Sequence, residues 1–159
     1  MEEVVAKLRA AHRRPMGSDL EVLQHELGQT RFVHVRRGDV LAQAVSWAKA
    51  EQSGYWQDGD SVVRGGMPKF DFDGIGYVKP VNEHNMAWRE WFSASAIAPL
   101  VVVYEDLVAD QAGTVGLLLG FLGLELPEGH VVQPSTRQQA DEVNQDWARR
   151  YRGQRPLQP

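Results

Sequence analysis

Cysteine is absent from the 159 residues, so neither a disulfide nor a thiolate metal ligand contributes to this protein. That absence leaves the compartment open, and the cytoplasm is the default expectation. No run of about 18 apolar residues occurs. The first thirty residues also hold no apolar segment of signal-peptide length, so the chain reads as neither exported nor membrane-spanning. An excess of positive charge is missing too: 17 Lys and Arg face 21 Asp and Glu, for a net charge of -4. The chain as a whole therefore has no electrostatic reason to seek nucleic acid or an anionic membrane, and any anion site must be a local cluster of bases. The five histidines show no metal-ligand spacing such as HExxH, so no metal is expected. There is no GxxxxGK[ST] loop, no internal repeat and no low-complexity segment.

What is present is the composition of an ordinary globular domain, 43% hydrophobic and 24% charged, and one domain's worth of chain. Val4, Val5, Leu8 and Ala11 recur at helical spacing, with acids first and bases last, predicting a helix over residues 2–13. A second, short helix is expected from Asp19, with Gly28 as its C-terminal cap. FVHVR, residues 32–36, reads as a buried strand. It runs through Arg37 and Gly38 into a helix that Asp39 caps and Gly54 stops. Residues 53–78 are rich in Gly and Asp and have no sustained period, the mark of a long loop. A helix is predicted over 82–96, with Trp88, Trp91, Phe92 and Ser95 on one stripe. LVVVYEDL, residues 100–107, reads as a second buried strand running into a turn. An apolar helix over 114–122 and a polar-faced one over 136–152 complete the pattern. Strand, helix, loop, helix, strand, helix is the alternation of a parallel α/β sheet covered by helices. Two strands are few for a stable open sheet, which points to a truncated or partner-completed domain whose missing strand lies in the middle.

The constellation with chemical content is HVRRGDVLAQAVSW. Arg36 and Arg37 stand where a parallel strand ends, and ligands of open α/β sheets bind beyond the carboxyl ends of the strands. Ser46 lies two turns into the next helix, whose N-terminus adds positive partial charge that Asp39 partly offsets. A guanidinium fork matches phosphate oxygens, and a hydroxyl supplies a further donor. The bland alternative is two arginines ending a strand at the surface, with Ser46 merely tolerated in a helix. Tyr104, Glu105 and Asp106 resemble an acid pair, but their place at a strand end favours a structural role, Asp106 capping a turn and Glu105 satisfying backbone donors. Trp88 and Trp91 read as core, and His34 as a core or helix-packed histidine. Trp56, at the mouth of the long loop, reads as packing, with stacking on a base or sugar as the alternative.

FVHVRRGDVLAQAVSWAKAEQSGYW is similar to the sulfotransferase segment that binds the 3′-phosphate of 3′-phosphoadenosine 5′-phosphosulfate (PAPS). The similarity continues through EHNMAWREWF, VVVYEDLVADQAGTVGLLLGFLGL and RQQADEVNQDWARRYR, covering most of residues 31–152, and resembles the trehalose 2-sulfotransferase family in particular. The resemblance implies a P-loop-type parallel sheet flanked by helices, in a single partial sulfotransferase domain over 1–159. It implies Arg37, or its neighbour Arg36, with Ser46 as ligands of the 3′-phosphate, and Arg137 as a further ligand of the same phosphate or the adenine edge. It also implies PAPS as donor, a carbohydrate acceptor such as trehalose, and a homodimer. In that family a Ser/Gly/Thr-rich loop wraps the phosphosulfate and a glutamate follows as general base. No such loop occurs here, RGGMPKF being the one Gly-rich stretch, so the expectation is an N-terminally truncated chain with no catalytic residue of its own and little or no activity. The rival readings are a non-catalytic remnant that binds a nucleotide or a partner, and a nucleotide kinase of similar topology.

Overall fold

The computed structural model describes residues 2–12, 17–56, 68–132 and 142–154. Within them the order of elements is α1 (Glu2–His12), α2 (Asp19–Leu27), β1 (Val33–Arg36), α3 (Val40–Ser53), a 3-10 turn (Asp73–Ile75), α4 (Val78–Ala94), β2 (Leu100–Val103), α5 (Tyr104–Ala109), α6 (Gln111–Leu122) and α7 (Glu142–Gln154).

Local chemistry accounts for most of these boundaries. Ser18 and Glu21 form a capping box at the start of α2, and Gly28 ends it at φ 72°, a left-handed angle that a side chain would strain. Asp39 accepts the Ala42 N–H at 2.9 Å and so starts α3, while Gly54, also at φ 72°, closes it. Asp110 caps α6 through the Gly113 N–H at 2.8 Å, so that helix begins at Gln111 and not at Thr114 as the sequence indicated.

Three other expectations change. α4 starts at Val78 and not at residue 82, because Pro80 stands in its first turn, where a backbone N–H would have no helical partner to lose. The second strand stops at Val103, and Tyr104–Ala109 is helical at once, its first turn holding Glu105 and Asp106, which suit a positive helix start. The strands are not wholly buried: in β1 only His34 is, and Val35 stays 61% exposed. Inside the expected long loop, the 3-10 turn at 73–75 sinks Ile75 into the core, while residues 57–67 lie outside the described segments.

β1 and β2 are parallel and paired directly, Val33 opposite Leu100 through Arg36 opposite Val103, so no further strand lies between them. The parallel α/β character is as expected, and the described sheet has two strands. One core forms where α3 meets α7. Ala44 and Ala48, one turn apart, leave room for Trp147, which meets Phe70 edge-on at 6.0 Å, and Val45, Ile75 and Ala148 fill the remainder. A second, smaller core joins Val5 of α1 to Val22 and Leu23 of α2, flanked by Phe32 and Trp91. The expected tryptophan stripe of α4 is packing: His34 lies 5.5 Å from the Phe92 ring and 6.5 Å from the Trp88 ring.

Burial pulls the His34 pKa below its ordinary value, with the positive charges of Arg36 and Arg89 adding to the effect. Folding therefore favours the neutral ring, and its contribution to stability is complete above about pH 6.5 and is lost as the pH falls toward the lower folded value. Urea midpoints should fall between pH 7 and about 5.5, and His34→Gln should flatten that interval. A wild-type midpoint constant across it would contradict this account.

Candidate functional site

The parallel register carries past the strand ends and builds the site. Arg36 pairs with Val103, so the next two positions bring Arg37 level with Tyr104 and Gly38 level with Glu105. The Arg37 guanidinium lies over the Tyr104 ring, 4.1 Å from its centre, a cation–π contact that fixes the head of a flexible side chain. The Gly38 N–H donates to Glu105 Oε2 at 2.9 Å and the Asp39 N–H to Oε1 at 3.3 Å. One carboxylate at the end of β2 thus holds the whole loop at the end of β1. These backbone N–H bonds, the Gly38 bond foremost, hold the Glu105 carboxyl below its usual pKa, and Arg37 adds to the effect.

Arg37 Nη1 donates to Ser46 Oγ across 3.4 Å, a long bond. Asn144 Nδ2, on α7, donates to the same oxygen at 3.1 Å, and Lys49 Nζ donates to Asn144 Oδ1 at 3.1 Å. Both lone pairs of the Ser46 hydroxyl are then engaged, which leaves its O–H to donate outward. The Arg37 guanidinium meets the Ser46 hydroxyl two turns into α3, and Asn144 links that hydroxyl to the Lys49 ammonium. At the helix start, the Asp39 carboxylate that would oppose an anion is engaged by the Ala42 N–H and by Arg152, 3.6 Å away. The arrangement suits a tetrahedral dianion held at one end of a larger ligand.

The structure brings Arg37 and Ser46 together and sends Arg36 elsewhere. Arg36 lies two residues after His34, on the same face of β1, and lines an open pocket of about 440 Å³ against α4. Arg137 lies outside the described residues. Glu105 satisfies backbone donors as expected, though of a loop 66 and 67 positions away. Asp106 does not cap a turn with its side chain, since α5 has no side-chain cap and the capping carboxylate nearby is Asp110. Trp56 is 54% exposed. Sequence reasoning missed Lys49 and Asn144. Lys49, three residues after Ser46, shares its helix face and was open to discovery. Asn144 is 98 positions from Ser46, and no local signal marks it. Among the described residues no group of three or more His, Asp or Glu is placed to hold a metal, and no helix is long and apolar enough to cross a membrane.

Arg37 and Ser46 thus lie beyond the carboxyl end of a parallel strand, where open α/β sheets bind their ligands. The pattern of the Stf0 sulphotransferases matches residues 4–154, and the chain belongs to that family. It is 28% identical over 126 residues to a trehalose 2-sulfotransferase of Mycobacterium tuberculosis, an alignment covering 79% of this chain and 46% of the relative. It is 30% identical over 122 residues to the trehalose 2-sulfotransferase of Mycolicibacterium smegmatis, covering 76% and 45%. The chain therefore spans about half the length of these curated relatives.

Glu105→Gln keeps the size of the side chain but removes the charge that two N–H groups share. It should weaken binding of adenosine 3′,5′-bisphosphate by roughly fivefold, about 1 kcal/mol, measured by calorimetry. In the unaltered chain the loop contact is complete above the ordinary carboxyl pKa and is lost as the pH falls through the lowered folded value. Unchanged affinity in the variant would show that the loop holds its shape without Glu105.

Proposed function

We propose that the chain grips the 3′-phosphate of PAPS between Arg37 and Ser46 and serves a sulfotransferase that delivers the sulfuryl group to a carbohydrate hydroxyl. The Arg37–Ser46 contact, reinforced by Asn144, carries this reading. In the transfer the acceptor oxygen bonds to sulfur while the sulfur–oxygen bond to the 5′-phosphate breaks. Adenosine 3′,5′-bisphosphate leaves, and the acceptor proton passes to a base. Such reactions depend on positioning and on stabilising charge at the transferring group, so anchoring the far end of the donor sets the geometry of the near end. Trehalose, the acceptor that the names of the two relatives carry, is the proposed sugar.

Among the residues resembling the family, 31–152, none is assigned as catalytic in this reading. A phosphosulfate loop and general base belong to another segment of the P-loop-type domain, seated at the free edge of β1. Edge strands favour association, and a homodimer is proposed on the same ground. Alone, these 159 residues should show little or no transfer of labelled sulfate from PAPS to trehalose, and robust turnover would overturn that part of the proposal.

Calorimetry with adenosine 3′,5′-bisphosphate tests the grip. Arg37→Ala and Ser46→Ala should each weaken binding, the first by roughly tenfold or more, since hydrogen bonds to charged groups contribute about 1.5–3 kcal/mol. Adenosine 5′-monophosphate, which lacks the 3′-phosphate, should bind weakly and show no response to either change. Equal responses for the two nucleotides would count against the assignment.

A further inference from the structure

The pocket against α4 adjoins the Arg37–Ser46 grip, since the loop of Arg37 and Gly38 forms part of its lining. Its floor is β1, where His34 and Arg36 share a face, and its wall is α4, where Asn82, Asn85 and Arg89 recur at helical spacing. Every one of these side chains offers N–H donors, and no Asp or Glu lines the pocket. Arg36 and Arg89 have no ion-pair partner among the described residues. Arg89 Nε donates to the Asn85 carbonyl at 3.3 Å, which orients the guanidinium and leaves its terminal nitrogens for other acceptors. Two such groups converge here in a chain whose net charge is -4, so general basicity does not account for them. Burial first, and then the charges of Arg36 and Arg89, hold the neighbouring His34 ring toward its neutral form. Two like charges lining one pocket without a counter-charge repel, and a bound anion relieves that repulsion. At about 440 Å³ the space exceeds a lone ion and lies in the range of small-molecule sites.

We propose that Arg36 and Arg89, with Asn82 and Asn85, form a second oxyanion site that takes a sulfate or phosphate monoester. It adjoins the Arg37–Ser46 grip, but Arg36, Asn82, Asn85 and Arg89 take no part in the Arg37–Ser46–Asn144 hydrogen bonds. Two sources share this chemistry: an anionic group on an acceptor sugar other than trehalose itself, which is uncharged, and the 5′ end of the donor. The loop of Arg37 and Gly38 also lines the pocket, so either ligand would lie beside the first grip. The site does not depend on what Arg37 and Ser46 bind.

The test is calorimetry on the full chain at fixed ionic strength with three probes: adenosine 3′-monophosphate, adenosine 3′,5′-bisphosphate and glucose 6-phosphate. The paired change Arg36→Gln with Arg89→Gln should weaken one of the last two by roughly tenfold, as loss of charged hydrogen bonds requires. It should leave adenosine 3′-monophosphate within about twofold, because the first grip is untouched. Loss on the bisphosphate assigns the site to the donor, and loss on glucose 6-phosphate assigns it to the acceptor. Arg149→Gln with Arg150→Gln removes the same charge from α7, at residues that do not line the pocket, and an equal loss there would overturn the proposal as long-range electrostatics. Failure of both probes to bind better than the counterparts that lack the phosphate in question, adenosine 3′-monophosphate for the bisphosphate and glucose for glucose 6-phosphate, would overturn it too. Should the Gln pair unfold by circular dichroism, Arg36→Lys with Arg89→Lys gives the same reading, with a smaller loss because the bidentate fork is gone. Failure of the first grip is seen separately, as adenosine 3′-monophosphate binding that ignores Arg37→Ala.

Discussion

The in-register pairing of β1 with β2 is the constraint on which everything at the site depends. Four residue pairs fix the two strands, and the chain beyond them has little freedom left. Tyr104 arrives under Arg37 and Glu105 arrives beside Gly38 because those positions follow Val103 and Arg36 in step. A slip of one residue would send Arg37 to the opposite face and Arg36 toward α3. Adjacent arginines at the end of β1 thus take different partners, Arg37 bonding Ser46 and Arg36 lining the pocket with Arg89.

The second constraint comes from far along the chain. α7 packs Trp147 and Ala148 against the alanine face of α3, and that contact delivers Asn144 to Ser46. Packing and site are coupled here. The small residues Ala44 and Ala48 let the tryptophan approach, and the helix it anchors supplies the amide that polarises the serine. Arg152, further along α7, balances the Asp39 cap at the start of α3. Without that balance the cap carboxylate would oppose an anion at the same helix end.

Much of this was legible in the sequence, and where it was not the reasons are physical. The caps at Asp39, Gly54 and Gly28 were readable because capping is a local event of one side chain and one turn. Arg37 and Ser46 were readable as a strand end and a position two turns into the next helix. The start of α4 was placed four residues late, at 82, because Pro80 stands in the first turn, where the helix tolerates a proline. The valine run of β2 misled further, because β-branched residues extend the strand pattern up to Tyr104 with no breaker before the helix begins. Asn144 and the reach of Glu105 to Gly38 are products of tertiary register, and no window of neighbouring residues contains them.

The central claim is that Arg37 and Ser46 hold a phosphate where β1 ends. A crystal structure of the chain with adenosine 3′,5′-bisphosphate tests it most directly. The account predicts the 3′-phosphate within hydrogen-bond reach of both the Arg37 guanidinium and the Ser46 hydroxyl, with Glu105 still bound to the Gly38 and Asp39 N–H groups. A nucleotide whose 3′-phosphate lies away from Arg37 and Ser46 would contradict it.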